Sequence, residues 1–465
     1  MEQHTQKINK LAEQISDAFR EKKQLYIFHG DSHTTRDISE EKKFIDISNL
    51  DQILEINFKE RYAIVEPNVT MEKLVLESFK KGLIPLIVTE FPQITIGGAI
   101  SGGAGESSSF KYGGVHSICD EYEVVLGNGQ ITQVSLLKNS DLFCGLSCSY
   151  GSLGIVTKIK IRLIEAKNFV QLNYFSINSF SELTEIISLK AKEQIDFLDA
   201  IMFSKDEGVV MVGKMVCNLP DSIKARTFSK SLDDWFFIRA REKMRDAIEP
   251  DYIPTIDYLF RYNIGAFWVG KFLFDWLMIP VNKFTKRLLF RFLDAKTFYK
   301  GLHSANMSQR CLVQDFCLPS NQAVNFLNYL EQNINKYPLW ICPLQASKIE
   351  DKFSPTYLKT DFILNIGLYA DFRKSYEYFI EVNKKLEDKL TDLGGKKVLY
   401  AHQYYSLEKF WGIYDINWYK QLRTIYYAEE VFPGIYEKTH VNKRYKTKVF
   451  IIFIKFIIAL FKKNT

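Results

Sequence analysis

One glycine-rich stretch decides how this chain is interpreted: Thr95-Ile-Gly-Gly-Ala-Ile-Ser-Gly-Gly-Ala-Gly-Glu-Ser-Ser-Ser-Phe-Lys-Tyr-Gly-Gly114. Seven of its twenty residues are glycine and four are serine. Without a Cβ the backbone can approach another molecule closely, and its N–H groups and neighbouring hydroxyls can donate hydrogen bonds to that molecule. The composition predicts a loop that holds a phosphate, with a long glycine-rich surface loop as the alternative.

Two further glycine-bearing turns lie at strand ends. Gly30-Asp-Ser-His-Thr34 follows the apolar run Gln24–His29, and Gly151-Ser-Leu-Gly-Ile155 leads into a strand from Ile155 to Leu163. The chain has no Walker A sequence and no strand-linked G-x-G-x-x-G, so neither a P-loop nor a Rossmann site explains these turns. Together they favour a cofactor that carries phosphate.

The elements around these turns indicate an α+β fold. Met71–Lys81 has helical periodicity and stops at Gly82, while short β-type runs occupy 43–48, 53–57 and 62–67. Gly127-Asn-Gly129 is typical of a hairpin turn. This order of strands, a helix and glycine turns does not fit a doubly wound sheet.

Composition excludes several classes of function. Net charge is only +6 over 465 residues, so no nucleic-acid-binding surface is expected. The seven cysteines form no Cys-x-x-Cys pair, which indicates a reducing compartment, and the seven histidines show no ligand spacing, so we expect no metal site. The charged amphipathic N-terminus lacks the apolar centre of a signal peptide, which predicts a cytoplasmic protein.

The motifs resemble a known flavoprotein superfamily. Thr95–Ile100, Lys111–Gly113, Val124–Gly129, Asn139–Phe143 and Gly151–Thr157 are similar to the FAD-binding domain of the vanillyl-alcohol oxidase and p-cresol methylhydroxylase superfamily. Gly105–Gly113 resembles its delta-24 sterol reductase (Diminuto) branch. Later motifs follow the order of that branch: Tyr252–Pro254, Phe267–Trp268, Val313–Asp315, Tyr337–Trp340, Cys342–Pro343, Leu399–Ala401, Phe410–Trp411 and Phe432–Pro433.

The resemblance implies an α+β fold of two parts, a two-subdomain FAD-binding domain of the p-cresol methylhydroxylase type and a substrate domain on an antiparallel sheet. We expect the FAD-binding domain over 1–166, the substrate domain over 167–398, a return toward the flavin over 399–442 and a basic, apolar tail over 443–465. The tail is too short to span a bilayer and predicts peripheral or monotopic contact with a membrane surface, with packing onto the protein's own surface as the alternative. The apolar segment 264–280 is left open between a core helix and a surface that admits lipid.

The resemblance also assigns roles in cofactor binding. Backbone N–H groups of one set of glycines would hold the FAD pyrophosphate, assisted by hydroxyls: Gly97, Gly98, Gly102 and Gly103, with Thr95, Ser107 and Ser108. The first turn would cradle it from the other side: Gly30, Asp31, Ser32, His33 and Thr34. Adenine and ribitol would meet Gly151, Leu153, Gly154 and Ile155, and Tyr112 and Gly113 complete the set. His33 stands where related oxidases attach FAD covalently, although the resemblance favours a non-covalent cofactor.

The implied reaction is the reduction of a carbon–carbon double bond in a sterol-like lipid, with electrons from NADPH. A proton donor must face the flavin, and the candidates are Tyr400 and His402. At the position of His402 the animal reductases have an acidic residue, which leaves the donor open. Two alternatives remain, an FAD-dependent oxidase of an alcohol or sugar acid that uses O2, and a non-catalytic lipid-binding membrane protein.

Overall fold

A computed structural model describes residues 2–30, 34–36, 44–221, 223–245, 249–304 and 306–445. The chain begins with α1 (Glu2–Arg20), whose apolar face packs on the first of two large sheets. His4 on this helix is buried, and its ring nitrogens lie 2.8 Å from Glu66 Oε1 and 2.9 Å from Glu123 Oε1. Hydrogen bonds to Glu123 and then Glu66 raise the pKa of His4.

The first sheet has six strands and antiparallel pairing throughout, in the order β3-β4-β8-β6-β7 with β5 on β8. A separate parallel pair, β1 and β2, precedes it. The strands are β1 (Tyr26–Phe28), β2 (Phe44–Asp46), β3 (Ile53–Asn57), β4 (Tyr62–Val65), β5 (Leu83–Pro85), β6 (Cys119–Val125), β7 (Ile131–Ser135) and β8 (Ile155–Glu165). The helices are α2 (Met71–Phe79), α3 (Ile96–Gly102), α4 (Ser109–Tyr112) and α5 (Ser140–Leu146).

The second sheet has eight strands, also antiparallel, in the order β12-β9-β11-β10-β14-β15-β13-β16. Its strands are β9 (Phe169–Ile177), β10 (Phe197–Ser204), β11 (Glu207–Val216), β12 (Asp251–Pro254), β13 (Cys311–Pro319), β14 (Leu339–Gln345), β15 (Phe362–Asp371) and β16 (Lys396–Lys397). Helices cover the central strands, so β10, β11, β13, β14 and β15 are buried on both faces.

The helices of the second half surround this sheet and continue beyond it. They are α6 (Phe180–Lys190), α7 (Phe236–Arg245), α8 (Thr255–Leu259), α9 (Gly270–Leu277), α10 (Lys283–Leu289), α11 (Ala295–Ser304), α12 (Ala323–Asn333), α13 (Tyr376–Asp392), α14 (Leu407–Ile413), α15 (Ile416–Ile425) and α16 (Ile435–Thr439). Two antiparallel sheets with packed helices confirm the α+β prediction.

The central glycine-rich stretch is not the continuous loop that composition predicts. Thr95 caps α3 by accepting a hydrogen bond from Gly98 N at 3.1 Å, and Gly103 ends the helix in the left-handed region at φ +70°. A second short helix, α4, follows. The cap at one end and the left-handed glycine at the other let a glycine-rich segment of seven residues form a short helix, α3.

The end of the chain returns to the first sheet. Thr34 Oγ1 donates to Tyr400 O at 2.6 Å, and Arg423 Nη1 donates to Ser152 O at 2.8 Å. A Cβ added to Gly127 would lie 1.8 Å from Tyr427 O, so these two backbones meet without room for a side chain. Residues 399–441 therefore form part of the same packed unit as the N-terminal sheet.

Within the described ranges, which end at residue 445, no helix is long and apolar enough to cross a bilayer. Nearly all of the predicted tail, residues 446–465, lies outside the described part of the chain, as do Asp31, Ser32 and His33. The apolar segment 264–280 divides: Ala266–Val269 is buried, whereas Met278 is 91% exposed.

Candidate functional site

A cavity of 370 Å³ lies between the two sheets and is lined by residues from both. Its first wall comes from the glycine-bearing turns, with Thr95, Gly97, Gly98, Gly102, Gly103, Gly151, Gly154 and Ile155. Its opposite wall comes from the second sheet and from α11. A volume of this size is typical of a cofactor or small-molecule site.

The glycines of the first wall differ in what they do. Gly97 N donates to Pro67 O at 2.8 Å, and a Cβ on Gly97 would lie 2.8 Å from Pro67 Cβ, so this glycine is required for close packing. Gly98 N is used by the Thr95 cap. A Cβ on Gly102 would meet nothing within 4 Å, so the backbone there borders open space in the cavity. The N–H groups of Gly97 and Gly98, which we expected to donate to the FAD pyrophosphate, thus already donate hydrogen bonds within the protein.

Of the turns at Gly30–Thr34 and Gly151–Ile155, only some residues line the cavity. Thr34 lines it, and Gly30 turns the chain at φ +90° directly after His29, which also lines it. Gly154 and Ile155 border the cavity, whereas Leu153 points into the core and is fully buried. Leu153 precedes strand β8, which begins at Ile155, and packs in the large core of the first sheet.

Four predicted residues, Ser107, Ser108, Tyr112 and Gly113, do not line the cavity. Ser107 Oγ donates to Glu106, and Ser108 Oγ donates to Leu86 O at 2.8 Å, so both hydroxyls are engaged within the protein. Gly113, which follows Tyr112 at the end of α4, takes φ +81°. The glycine-rich stretch therefore lines the cavity as far as Gly105, and residues 106–114 do not.

Glu106 instead belongs to a buried ion cluster that joins the two halves. Arg261 Nη2 lies 3.0 Å from Glu106 Oε1 and 2.9 Å from Asp199 Oδ2. Tyr262 OH donates to Asp199 Oδ2 at 2.7 Å and Trp340 Nε1 at 3.1 Å. The attraction of buried carboxylates raises the pKa of Arg261 against the effect of its own burial. We call these five residues the Arg261 cluster.

The second wall carries a carboxylate that the sequence analysis did not assign. Asp315 on β13 accepts hydrogen bonds from Tyr400 OH at 2.6 Å, Asn365 Nδ2 at 2.7 Å and Tyr369 OH at 2.9 Å. Gly367, paired with Asp315 across the ladder, leaves room for this arrangement, since a Cβ there would lie 2.7 Å from Tyr369 OH. The sequence signal that could have identified Asp315 is the presence of an acidic residue within the apolar strand Cys311–Pro319.

Burial controls protonation around Asp315. Desolvation raises the pKa of Asp315 although its three donors oppose the change, and it raises the pKa of Tyr400 well above its usual value. Tyr400 is therefore a neutral hydroxyl at the cavity wall, hydrogen-bonded to a carboxyl group. Tyr400, which the sequence analysis named as a candidate proton donor, thus lies where a proton from its hydroxyl could reach a ligand bound in the cavity.

A second unassigned acid, Glu90, lies on the same cavity. Burial raises its pKa to about 8, with smaller contributions from the charges of Glu106 and Asp315. At neutral pH the Glu90 carboxyl is therefore mostly protonated. Nothing in the sequence marks it beyond its position shortly before the glycine-rich stretch.

His402 is not at the cavity. The ring is buried and packs against Phe379, Tyr404 and Tyr445, with centroid distances of 5.7 to 6.1 Å. Burial lowers the pKa of His402 well below its usual value, so the imidazole is neutral. Tyr400 and His402 are separated by one residue, and the backbone directs the first into the cavity and the second into the core. The expectation that His402 donates a proton is corrected by this geometry.

The remaining wall combines aromatic faces and cations. Phe267 lies with its ring centroid 5.2 Å from that of Trp340 and 5.0 Å from that of Tyr369, at interplanar angles of 54° and 42°, so tilted aromatic rings line this part of the cavity. Arg36 and Lys438 border the glycine side. Arg36 Nη1 donates to Leu399 O and, at 3.3 Å, to Ala401 O, and burial lowers its pKa.

These features fit FAD. The open backbone at Gly102 and the two cations suit a pyrophosphate, since glycine permits close approach and Arg and Lys neutralise phosphate charge. The aromatic wall suits a flat ring system and an apolar substrate. The residues that would hold the cofactor in this arrangement are Thr95, Gly102, Arg36, Gly151 and Lys438.

Comparisons with known proteins agree with this fit. Residues 5–135 match the FAD binding domain family. The delta(24)-sterol reductase of Homo sapiens is 28% identical over 404 residues, which cover 84% of this chain and 76% of that protein. The delta(24)-sterol reductase of Arabidopsis thaliana is 25% identical over 447 residues, covering 87% and 78%. A cytokinin dehydrogenase of Oryza sativa subsp. japonica is 27% identical over 155 residues, covering 33% and 30%.

Proposed function

We propose that this chain, whose residues 5–135 match the FAD binding domain family and which is similar to the delta(24)-sterol reductases, reduces a carbon–carbon double bond in a sterol-like lipid. The observation that carries the proposal is the cavity itself, where a glycine-lined wall faces the hydrogen-bonded pair Tyr400 and Asp315. NADPH is the proposed source of the two electrons.

The chemistry divides between cofactor and protein. When bound, FAD would take two electrons from NADPH and supply a hydride to one carbon of the double bond. The other carbon then needs a proton. Tyr400 holds one at its hydroxyl, which burial keeps neutral. This O–H donates to Asp315 Oδ2 in the structure and would turn to the substrate carbon, and the phenolate left behind would take up a proton from solvent once the product leaves.

Asp315 orients the donor. Its Oδ2 accepts from Tyr400 while Oδ1 accepts from Asn365 and Tyr369, so the carboxyl cannot rotate without losing hydrogen bonds. We assign Asp315 as a positioning residue and Tyr400 as the catalytic acid. The aromatic wall excludes water from the lipid, since Phe267 and Trp340 are nearly fully buried beside the cavity.

The first experiment tests the cofactor and the donor. Purified full-length protein reconstituted with FAD should be yellow, and NADPH should bleach it without oxygen more rapidly than NADH does. Adding a sterol with a side-chain double bond should restore the yellow colour. Protein that takes up no FAD, or reduced protein that such sterols do not reoxidise, refutes the proposal.

The second experiment tests Tyr400. Tyr400→Phe should bleach with NADPH as the wild type does but should lose about 10²- to 10⁴-fold in the reoxidation rate, the usual contribution of a positioned acid. Tyr404→Phe is the matched control, because Tyr404 is a buried tyrosine outside the cavity. Equal reoxidation rates for both variants remove Tyr400 from the mechanism.

A further inference from the structure

Four large apolar side chains are exposed on the segment that runs from the end of α9 through α10. Met278 is 91% exposed, Phe284 75%, Leu288 54% and Val281 37%. We call these four residues the apolar ridge. Single exposed apolar residues are common on protein surfaces, but four within eleven positions of the chain are a local concentration.

The ridge is held firmly from beneath. Phe274 of α9 and Leu289 of α10 are buried with Trp235 and Leu293 in a small core. Lys286 Nζ lies 3.2 Å from Asp234 Oδ1, which fixes α10 to the preceding segment. The exposed side chains therefore stand on an anchored base, and their exposure is a property of the folded surface.

The segment that carries the ridge is rich in basic residues, although Lys286 is itself buried and paired with Asp234. Residues 270–304 contain seven lysines and arginines against two aspartates, whereas the whole chain of 465 residues has a net charge of only +6. Lys271 and Arg287 are exposed beside the ridge. Apolar side chains flanked by cations are the pattern of surfaces that enter the interface of anionic membranes.

The same segment forms part of the cavity wall. Val269 precedes α9 directly and lines the cavity, as do Phe298, Tyr299 and Leu302 of α11, which follows α10. The ridge and the apolar end of the cavity are thus carried by one continuous stretch of chain. A lipid leaving a bilayer at the ridge would meet cavity residues contributed by the flanking positions.

We propose that the apolar ridge docks this protein on an anionic lipid bilayer, independently of the C-terminal tail. The route for a lipid into the cavity rests on the proposed function; the docking itself does not. A protein partner would favour a flatter patch with fewer charges at its centre, whereas separate protruding apolar groups among cations match insertion between lipid headgroups.

The test is vesicle flotation with the full chain, using phosphatidylcholine vesicles with and without phosphatidylglycerol. The double variant Phe284→Asp with Leu288→Asp should bind anionic vesicles at least about tenfold more weakly than the wild type. The matched control is Leu137→Asp with Leu407→Asp, whose leucines are 99% and 57% exposed in other parts of the fold. The control should bind as the wild type does, and Arg287→Glu should weaken binding only when phosphatidylglycerol is present.

Three results would overturn the proposal. The ridge variant could float as well as the wild type, which would assign binding to the tail. The wild type could fail to bind any vesicle. The wild type could self-associate in gel filtration while the ridge variant is monomeric, which would make the ridge a contact between copies. Flotation needs no turnover, so a failure of the reductase proposal would be seen separately, in the flavin assay.

Discussion

Replacing Arg261 by leucine should destabilise the protein far more than removing a surface arginine. Arg261 is 1% exposed and bonds both Glu106 and Asp199 at about 3 Å. Its guanidinium also lies 4.2 Å from the ring centroid of Tyr258 and 4.6 Å from that of Tyr262. In Arg261→Leu two buried carboxyl groups lose their shared cation, and breaking a buried pair in this way costs about 3–5 kcal/mol.

Arg241→Leu is the matched control. Arg241 also pairs with a carboxylate, with Nη2 lying 2.7 Å from Glu207 Oε2, but its side chain is 49% exposed. Solvent screens such a pair, so the expected loss is about 0–1 kcal/mol. Both variants remove one positive charge, so the difference between them isolates burial.

Urea unfolding followed by tryptophan fluorescence measures the two losses. The free energy of unfolding should fall by at least about 2 kcal/mol more in Arg261→Leu than in Arg241→Leu. Changing both carboxylates as well, with Glu106→Gln and Asp199→Asn, should restore part of the loss because no uncompensated charge remains. Equal unfolding midpoints for the two single variants would refute the reasoning. A triple variant that is less stable than Arg261→Leu would refute it as well.

Three further predictions follow from local geometry and protonation. The pKa of His4 is raised in the folded protein, so its ion pairs stabilise the fold fully below pH 6.5 and lose this effect as the pH rises through the pKa of the folded state. In urea unfolding, the difference in stability between the wild type and His4→Gln should therefore be larger at pH 6 than at pH 9. Gly127→Ala should lower the melting temperature because its Cβ meets backbone, whereas Gly412→Ala, with open space in a helix, should leave it unchanged or raise it. Glu90 has a pKa of about 8, so if its protonated form supports turnover, the rate should fall above that pH in the wild type and not in Glu90→Gln; identical pH profiles would contradict this.

Patterns local in sequence predicted much of the fold. The helix at Met71–Phe79, the Gly127–Gly129 hairpin and the strand from Ile155 depend on periodicity and turn chemistry, and all three are present. The glycine-rich stretch was misjudged as a loop because α3 contains three glycines, which weaken the helical signal, while Thr95 caps the helix and Gly103 ends it in the left-handed region.

The site was less accessible to sequence reasoning. Tyr400 and His402 are two positions apart, and only the path of the backbone decides which faces the cavity. The role of Asp315 depends on the hydrogen bonds that it accepts from Asn365 and Tyr369, which lie on the neighbouring strand about 50 positions later in the sequence. Such partners are set by strand register, for which a single sequence contains no direct signal.

The return of the C-terminal segment has a consequence for biosynthesis. Thr34 bonds to Tyr400, 366 positions later, and Leu25 N donates to Val431 O at 2.7 Å. The N-terminal half leaves the ribosome long before these partners exist, so its glycine-lined wall stays incomplete while the second half is translated. Contacts so distant in sequence slow folding, and the wall can close only after release of the nascent chain's final stretch. A stop codon near position 398 would therefore remove the hydrogen-bond partners of Thr34 and Leu25 as well as the C-terminal helices themselves.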